Sequence, residues 1–214
     1  MQRIIFDRIL PAVFAETPVG DSQIWQQSVT FEKGRTYLLE AHSGKGKSTL
    51  LSYMMGYRDD YQGAIRFDEH EARSLGCEEW TAIRCRELGI MFQELRLFGE
   101  LTARENIDLK NRLTGFSNER KINELFERLG IADKRDVPIR KMSFGQQQRV
   151  ALIRALVQPF DFLLLDEPIS HLDKANAEVM AQIVEEEARE RGAGVIATSI
   201  GNTLPLHYDT MLRL

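Results

Sequence analysis

The sequence predicts an α/β fold in which helices flank a mostly parallel sheet. Two observations lead to this prediction. Apolar runs alternate along the chain with segments of helical periodicity, and one run, residues 160–165, is apolar at nearly every position. A strand that is covered on both faces has such a continuous pattern, and strands separated by helices are typical of parallel sheets. The 214 residues are enough for one substantial domain.

The first half of the chain predicts a strand, a glycine-rich loop and a helix in succession. Residues 24–31 alternate between apolar and polar side chains, which indicates a strand with one buried face. Residues 36–40 form a second predicted strand that leads directly into the loop. Residues 48–55 then have apolar side chains at helical spacing, which predicts a helix.

The remaining elements continue the alternation. Short apolar runs predict strands at 64–67, 88–92 and 195–198, and an amphipathic pattern predicts a helix at 175–191. From about 95 to 141 the pattern becomes helical. Its apolar stripe, which we expect to pack in the core, consists of Ile122, Leu125, Phe126 and Leu129.

The composition argues against a nucleic-acid partner. Charged residues make up 28% of the chain and hydrophobic residues 43%, and the formal net charge is −4. The whole molecule therefore exerts no electrostatic attraction on nucleic acid. Two basic pairs, at 134–135 and 140–141, lie among acidic neighbours, and for them a solvated surface is favoured over a nucleic-acid patch.

Cysteine usage and hydropathy predict a cytoplasmic protein. Cys77 and Cys85 have no CxxC spacing and fit neither a zinc site nor a disulfide framework. Asp7 and Arg8 interrupt the apolar N-terminus, so we expect no signal peptide. No apolar run approaches the roughly 20 residues that span a bilayer. Any work at a membrane is therefore expected to depend on a partner.

The loop Ala41-His42-Ser43-Gly44-Lys45-Gly46-Lys47-Ser48-Thr49 predicts a site for the phosphates of a nucleotide. Glycines let successive backbone N–H groups converge on phosphates, and the helix that follows adds the positive end of its dipole. We expect Lys47 to reach the β- and γ-phosphates and Ser48 to ligate Mg²⁺. Ala41 replaces the first glycine of the G-x-x-x-x-G-K-[ST] pattern, which costs little if its φ is negative. The predicted phosphate contacts are Ser43, Gly44, Lys45, Gly46, Lys47, Ser48 and Thr49.

Two carboxylates follow the most apolar predicted strand. Asp166 and Glu167 come at its carboxyl end, and such ends face the ligand crevice of open α/β sheets. Asp166 suits a Mg²⁺ site, and Glu167 suits a general base that polarises the attacking water. The alternative is a pair of surface acids in a turn before Pro168. A position beside the loop of Lys47 favours the catalytic interpretation.

A third segment carries a family resemblance. Met142-Ser143-Phe144-Gly145-Gln146-Gln147-Gln148-Arg149, about a hundred residues after the loop, is similar to the signature sequence of ATP-binding cassette (ABC) proteins. From about residue 20 to its end the chain resembles the ATP-binding subunit of a bacterial ABC transporter. The resemblance implies a P-loop NTPase core with an antiparallel β edge region and an inserted helical subdomain at about 95–141. It also implies that residues 1–214 form a single domain.

The resemblance assigns roles to further residues. Gln93 corresponds to the glutamine that senses Mg²⁺ and the γ-phosphate and couples to a membrane partner. Ser143 and Gly145 correspond to residues that contact ATP held by the opposite subunit. Asp173, in the segment 170–173, corresponds to a residue at the dimer seam. The implied cofactors are ATP and Mg²⁺. The implied partners are a second ABC subunit and a transmembrane permease, which would hold this chain at the inner face of the cell membrane.

The chain departs from the family pattern at several positions. Phe144 replaces the first signature glycine, and Ser199 replaces the switch histidine that contacts the γ-phosphate. A serine hydroxyl can donate a hydrogen bond there but is short and never cationic. Phe14 is a candidate for stacking on adenine, with a core role as the alternative. Residues 101–107 resemble the lipoprotein-release and macrolide-export branch.

Two functions remain open on this evidence. The first is a transporter ATPase in which Glu167, Gln93 and Ser199 act in hydrolysis, with slow turnover because Ser199 replaces histidine. The second is a nucleotide-switched regulatory module whose turnover is dispensable. A DNA-repair or chromosome ATPase of the same superfamily is disfavoured, since those chains insert long coiled coils between the loop and the signature.

Overall fold

The computed structural model describes residues 1–16, 19–42, 44–169 and 172–214, and its strands form two sheets. The strands are β1 (Arg3–Pro11), β2 (Ser28–Glu32), β3 (Thr36–Glu40), β4 (Tyr61–Phe67), β5 (His70–Glu71), β6 (Leu88–Met91), β7 (Phe162–Asp166), β8 (Gly194–Ser199) and β9 (Thr210–Arg213). The helices are α1 (Lys47–Met54), α2 (Cys77–Arg86), α3 (Ala103–Asn111), α4 (Glu119–Arg128), α5 (Phe144–Leu156) and α6 (Lys174–Arg191).

The larger sheet is parallel and has the order β6-β7-β8-β3-β9. Strand β7 lies inside it, and all five of its residues are buried, which explains its continuous apolar sequence. Because the strands are parallel, the carboxyl ends of β3, β7 and β8 meet at one edge. These ends precede the glycine-rich loop, Glu167 and Ile200 respectively, so the topology assembles the candidate site.

The smaller sheet is antiparallel, with the order β2-β1-β4-β5, and confirms the predicted antiparallel edge region. Its first strand, β1, has a register shift between Asp7 and Leu10. Opposite this irregularity, Gly63 has φ +88°, and a Cβ there would lie 2.5 Å from the carbonyl oxygens of Asp7 and Arg8. Glycine is therefore required where the two strands approach most closely.

The strand predicted at 24–31 is wrong in its first half. Ile24 and Trp25 are buried, but they lie in a turn, and β2 begins only at Ser28. The Ser22 hydroxyl accepts hydrogen bonds from the backbone N–H groups of both buried residues, at 3.2 and 2.9 Å. This local side-chain interaction competes with strand pairing. The apolar residues are thus buried without belonging to a sheet.

The region from 95 to 141 contains two α-helices, short 3-10 turns and extended segments. Helix α3 begins at a capping box, in which the Thr102 hydroxyl accepts from the N–H of Glu105 and the Glu105 carboxylate accepts from the N–H of Thr102. Asn118 caps α4 in a similar way. The predicted stripe of four apolar residues on and after α4 is buried. In the part of the chain that the structure describes, no helix is both long and apolar enough to cross a membrane.

Candidate functional site

Asp166 lies at the centre of the site and connects three elements. Its side chain is 5% exposed, and both of its carboxylate oxygens accept hydrogen bonds. The Ser48 hydroxyl, at the start of α1, donates to Oδ2 at 2.8 Å. The Thr198 hydroxyl, on β8, donates to Oδ1 at 2.7 Å and accepts from the N–H of Glu167 at 3.1 Å. The acid is therefore fixed in position by its neighbours rather than free in a turn.

Lys47 is held by the loop that precedes it. It is 5% exposed, and its Nζ donates to the carbonyl oxygens of Ala41 at 2.8 Å and His42 at 3.3 Å. The same nitrogen lies 3.5 Å from Oε1 of Glu167. The ammonium group thus sits between the glycine-rich loop and Glu167, the residue after β7. Asp166 is buried, so these two residues are not a pair of exposed acids in a surface turn.

The loop depends on two glycines and on an aromatic support. Gly44 and Gly46 have φ of +79° and +97°, and a Cβ on Gly46 would lie 2.9 Å from the Trp25 ring. The buried Trp25 indole donates a hydrogen bond to the carbonyl oxygen of Lys45 at 3.1 Å. Ala41 does not have a positive φ, so an alanine fits this position of the loop without backbone strain.

Glu167 has a strained backbone and a partner at its carboxylate. Its φ is +48°, a left-handed conformation that is uncommon for a residue with a Cβ. The Gln93 side chain, which follows β6, donates through Nε2 to Oε2 of Glu167 at 3.0 Å. The structure therefore brings the predicted base next to the predicted sensor, across 74 residues of sequence.

These residues surround a cavity of about 400 Å³. Its lining contains backbone N–H donors and one lysine, which suit a phosphorylated ligand. It also contains carboxylate and hydroxyl oxygens, which suit Mg²⁺, and an apolar wall. Phe14 belongs to that wall and also lies against Trp25, with the ring centroids 6.2 Å apart. The lining residues are Val13, Phe14, Gly44, Gly46, Lys47, Ser48, Thr49, Gln93, Glu167 and Ile200.

The signature residues lie outside this cavity. The Ser143 hydroxyl caps α5 by accepting from the N–H of Gln146 at 3.3 Å, and Gly145 follows in the first turn. Asp173 caps α6, and hydrogen bonds from Asn176 lower the pKa of its carboxylate. None of these three predicted contacts is among the described residues that line the phosphate cavity. The predicted contact Ser43 and residues 170 and 171 lie outside the described residues.

Ser199 is turned toward its own loop. The side chain is 1% exposed, and its hydroxyl donates to the carbonyl oxygen of Asn202 and accepts from the N–H of Gly201, both at 2.9 Å. Ser199 lines a neighbouring cavity with Ala41 and His42, whereas Ile200 reaches the phosphate cavity. The chain thus places an apolar side chain near the predicted position of the γ-phosphate.

The roles of three side chains at the site were not predicted from the sequence. Thr198 and Trp25 carry no motif, although the position of Thr198 at the end of a buried strand next to the acid strand was a usable signal. Ile200 lines the cavity, whereas the Ser199 hydroxyl bonds within its own loop, and no sequence pattern distinguishes the two. Each of these roles depends on contacts between distant segments.

Comparison with known proteins identifies relatives over most of the chain. A family model described as ABC transporter matches residues 25–170. The uncharacterized ABC transporter ATP-binding protein YbbA of Escherichia coli is 33% identical over 186 residues, covering 86% of this chain and 82% of that protein. Rv0073 of Mycobacterium tuberculosis, of the same description, is 36% identical over 176 residues, covering 81% of this chain. The chain spans only 53% of that mycobacterial relative.

A solved structure supports the fold. The dimeric structure of MJ0796, described as a bacterial ABC transporter cassette, matches with a TM-score of 0.78 and covers 92% of this chain and 87% of that one. The sequences are 24% identical. The match therefore confirms the predicted P-loop NTPase architecture.

Replacement of Thr198 by valine tests the hydrogen-bond network at the site. We expect the free energy of unfolding to fall by about 1–3 kcal/mol, because Asp166 and the N–H of Glu167 would lose a buried partner. Threonine and valine have similar shapes, so packing is largely retained. Urea titration measures the loss, and Thr198→Ser, which keeps the hydroxyl, is the control. Equal losses in both variants would contradict a role for the hydrogen bonds.

Proposed function

This chain belongs to the ABC transporter family, and we propose that it is the ATP-binding subunit of a transporter, hydrolysing ATP to drive a separate membrane permease. The observation that carries the proposal is the junction of Lys47, Ser48, Asp166, Glu167 and Gln93 at one edge of the parallel sheet. We further propose that residues 1–214 work as one ATP-binding domain, with residues of about 95–141 as its helical subdomain.

Mg-ATP would be held by groups that already converge on the cavity. The N–H groups of the loop and the start of α1 would bind the β- and γ-phosphates, together with Lys47. Oxygen atoms of Ser48, Asp166 and Gln93 would hold Mg²⁺, directly or through water, and oxygen is the ligand that this ion prefers. Lys47 now donates to two backbone carbonyls, so phosphate oxygens would replace weaker acceptors. Mg²⁺ would supply charge neutralisation at the phosphates.

Glu167 is the proposed general base. Its carboxylate lies at the cavity, between Lys47 and Gln93, and would accept a proton from a water that attacks the γ-phosphate. Gln93 would orient that carboxylate and the water. We propose that Ser199 occupies the position of the switch histidine. Its hydroxyl is already hydrogen-bonded within its own loop and is not directed at the γ-phosphate, so we infer that hydrolysis is slow.

A second ABC subunit would complete the site. Ser143 and Gly145 lie outside the cavity of their own chain, so a contact with ATP requires the signature of another subunit. The solved relative MJ0796 is dimeric. Asp173, at the start of α6, would lie at the seam between the subunits. A dimer of this kind explains why Ser143 and Gly145 do not line the phosphate cavity of their own chain.

Transport requires a membrane partner, which we propose is a permease at the inner face of the cell membrane, with this chain on the cytoplasmic side. The relatives YbbA and Rv0073 carry the description ABC transporter ATP-binding protein. That description favours a transporter subunit over a nucleotide-switched regulatory module. We propose no nucleic-acid partner.

Lys47→Ala is expected to weaken ATP binding by about 30-fold or more, because a charged partner of the phosphates is lost. Equilibrium binding of a fluorescent ATP analogue in the presence of Mg²⁺ measures the change. Lys134→Ala, which removes a lysine on the surface, should bind like the unaltered chain. Tight nucleotide binding by the Lys47→Ala variant would contradict the assignment of the site.

Glu167→Gln is expected to lower the hydrolysis rate by about 10² to 10⁴-fold, because the amide cannot accept the proton from water. ATP binding should persist, so the variant should accumulate as an ATP-bound dimer. Light scattering after size exclusion, with ATP and then with ADP as the control, measures the assembly. Hydrolysis by this variant at the rate of the unaltered chain would exclude Glu167 as the base.

Ser199→His is expected to raise the hydrolysis rate about tenfold or more, because the hydroxyl that its own loop engages would be replaced by a longer imidazole that can donate a hydrogen bond to phosphate. Steady-state phosphate release by the complex with its permease measures the change. Ser199→Ala is the matched variant and removes only the hydroxyl. If alanine slows turnover and histidine does not raise it, the serine hydroxyl itself contributes to hydrolysis.

A further inference from the structure

Two parts of the proposed dimer site carry large apolar side chains that are open to solvent. Ile200 lines the phosphate cavity and is 48% exposed, and Val13 in the same wall is 56% exposed. Phe144, in the first turn of α5, is 40% exposed. Apolar surface at these positions is stabilised when a partner covers it, and exposed apolar surface of this kind marks interaction sites.

Within one chain, Phe144 and Ile200 belong to different surfaces. Ile200 follows β8 at the carboxyl edge of the parallel sheet, whereas Phe144 begins α5. Phe144 is not among the described residues that line the phosphate cavity. In a dimer with two-fold symmetry, a surface of one subunit can meet a different surface of the other, and the same contact then occurs twice. Such a dimer can bring the two side chains together.

The proposed dimer directs Phe144 of one subunit to the cavity of the other. Phe144 lies between Ser143 and Gly145, the two residues proposed to contact the ATP of the opposite subunit, and neighbouring Cα atoms are only about 3.8 Å apart. The positive end of the α5 dipole, at Ser143, favours the most negatively charged part of that ATP, the γ-phosphate. Ile200 lies near the predicted position of the same phosphate. The two apolar side chains therefore approach one point from opposite subunits.

We propose that Phe144 of each subunit packs on Ile200 of the partner subunit, and that the partner is therefore a second copy of this chain. The inference rests on the dimer of the proposed function and adds the identity of the second subunit. An ABC subunit with the family's glycine at the position of Phe144 would leave Ile200 uncovered. A second copy of this chain supplies the aromatic side chain at both sites.

The chemistry of the two side chains favours a contact with each other over a contact with nucleotide. Neither phenylalanine nor isoleucine has a hydrogen-bond donor or a charge for a phosphate. The Ser143 hydroxyl and the backbone N–H groups of the first turn of α5 are the donors at the signature. Phe144 and Ile200 thus contribute apolar surface, which is best covered by other apolar surface.

Cross-linking between two different variants tests the contact. Both native cysteines are replaced by serine in the Glu167→Gln chain, so that no other thiol is present. One preparation then carries Phe144→Cys and the other Ile200→Cys, and any link between positions 144 and 200 must join two chains. With Mg-ATP and a short bis-maleimide, at a concentration at which light scattering shows the dimer, we expect a covalent dimer.

The matched control for cross-linking is Leu113→Cys in place of Phe144→Cys. Leu113 is also apolar, is 60% exposed and lies outside the phosphate cavity. Mixed with Ile200→Cys, it should give little covalent dimer, and the same holds for each cysteine variant alone. Omission of nucleotide should remove the link between positions 144 and 200.

The affinity of the dimer provides a second measurement. In the Glu167→Gln chain with Mg-ATP, Phe144→Ala and Ile200→Ala should each raise the dissociation constant of the dimer about tenfold, as sedimentation equilibrium measures. The double variant should lose less than the product of the two effects, because both changes remove the same contact. Phe144→Leu, which keeps an apolar side chain, should retain most of the affinity, and Leu113→Ala should retain all of it.

Each failure of these experiments has its own meaning. A dimer that forms with ATP but gives no more link through Phe144→Cys than through Leu113→Cys overturns the proposal, as does a dimer whose affinity Phe144→Ala leaves unchanged. A Glu167→Gln chain that binds Mg-ATP and stays monomeric also overturns it and leaves the nucleotide site intact. A chain that does not bind Mg-ATP contradicts the proposed function, and the inference then fails with it.

Discussion

The hydrogen bonds to the buried carboxylate of Asp166 are the interaction on which the rest of the site depends. Ser48 and Thr198 each donate to one oxygen, so the start of α1 and the ends of β7 and β8 are joined at a single side chain. Such a junction is possible because parallel strands end at the same edge of the sheet. Lys47 and Glu167 are then neighbours of two residues already fixed, which places an ammonium group and a carboxylate 3.5 Å apart.

The residues after β6 belong to two surfaces at once. Gln93 bonds to Glu167 at the phosphate cavity, whereas Phe92 and Arg96 line a second cavity, of about 410 Å³, between α2 and α3. The buried Asn106 holds the far end of this segment by accepting from the N–H of Phe98 and donating to its carbonyl. The segment between the two surfaces therefore has fewer than ten residues and is anchored at both ends. This connection gives the proposed coupling between hydrolysis and the permease a physical route.

The sequence allowed the parallel sheet and the phosphate loop to be predicted, because each depends on local patterns. A continuous apolar run identified β7, and glycine spacing identified the loop around Lys47. The support of that loop by Trp25 was not predictable, since it depends on a turn in which burial and strand pairing separate. The same limit applies to Ser199, whose hydroxyl bonds within its own loop. Side-chain direction is set by tertiary contacts that no single segment encodes.

The left-handed backbone of Glu167 has a consequence for the stability of the site. Its φ of +48° costs energy for any residue with a Cβ, and glycine would relieve that cost. Glycine would also remove the carboxylate from the cavity. Stability of the folded chain and the proposed role of Glu167 as a base are therefore opposed at this position. Replacement of Glu167 by glycine would therefore relax the backbone at the cost of the proposed base.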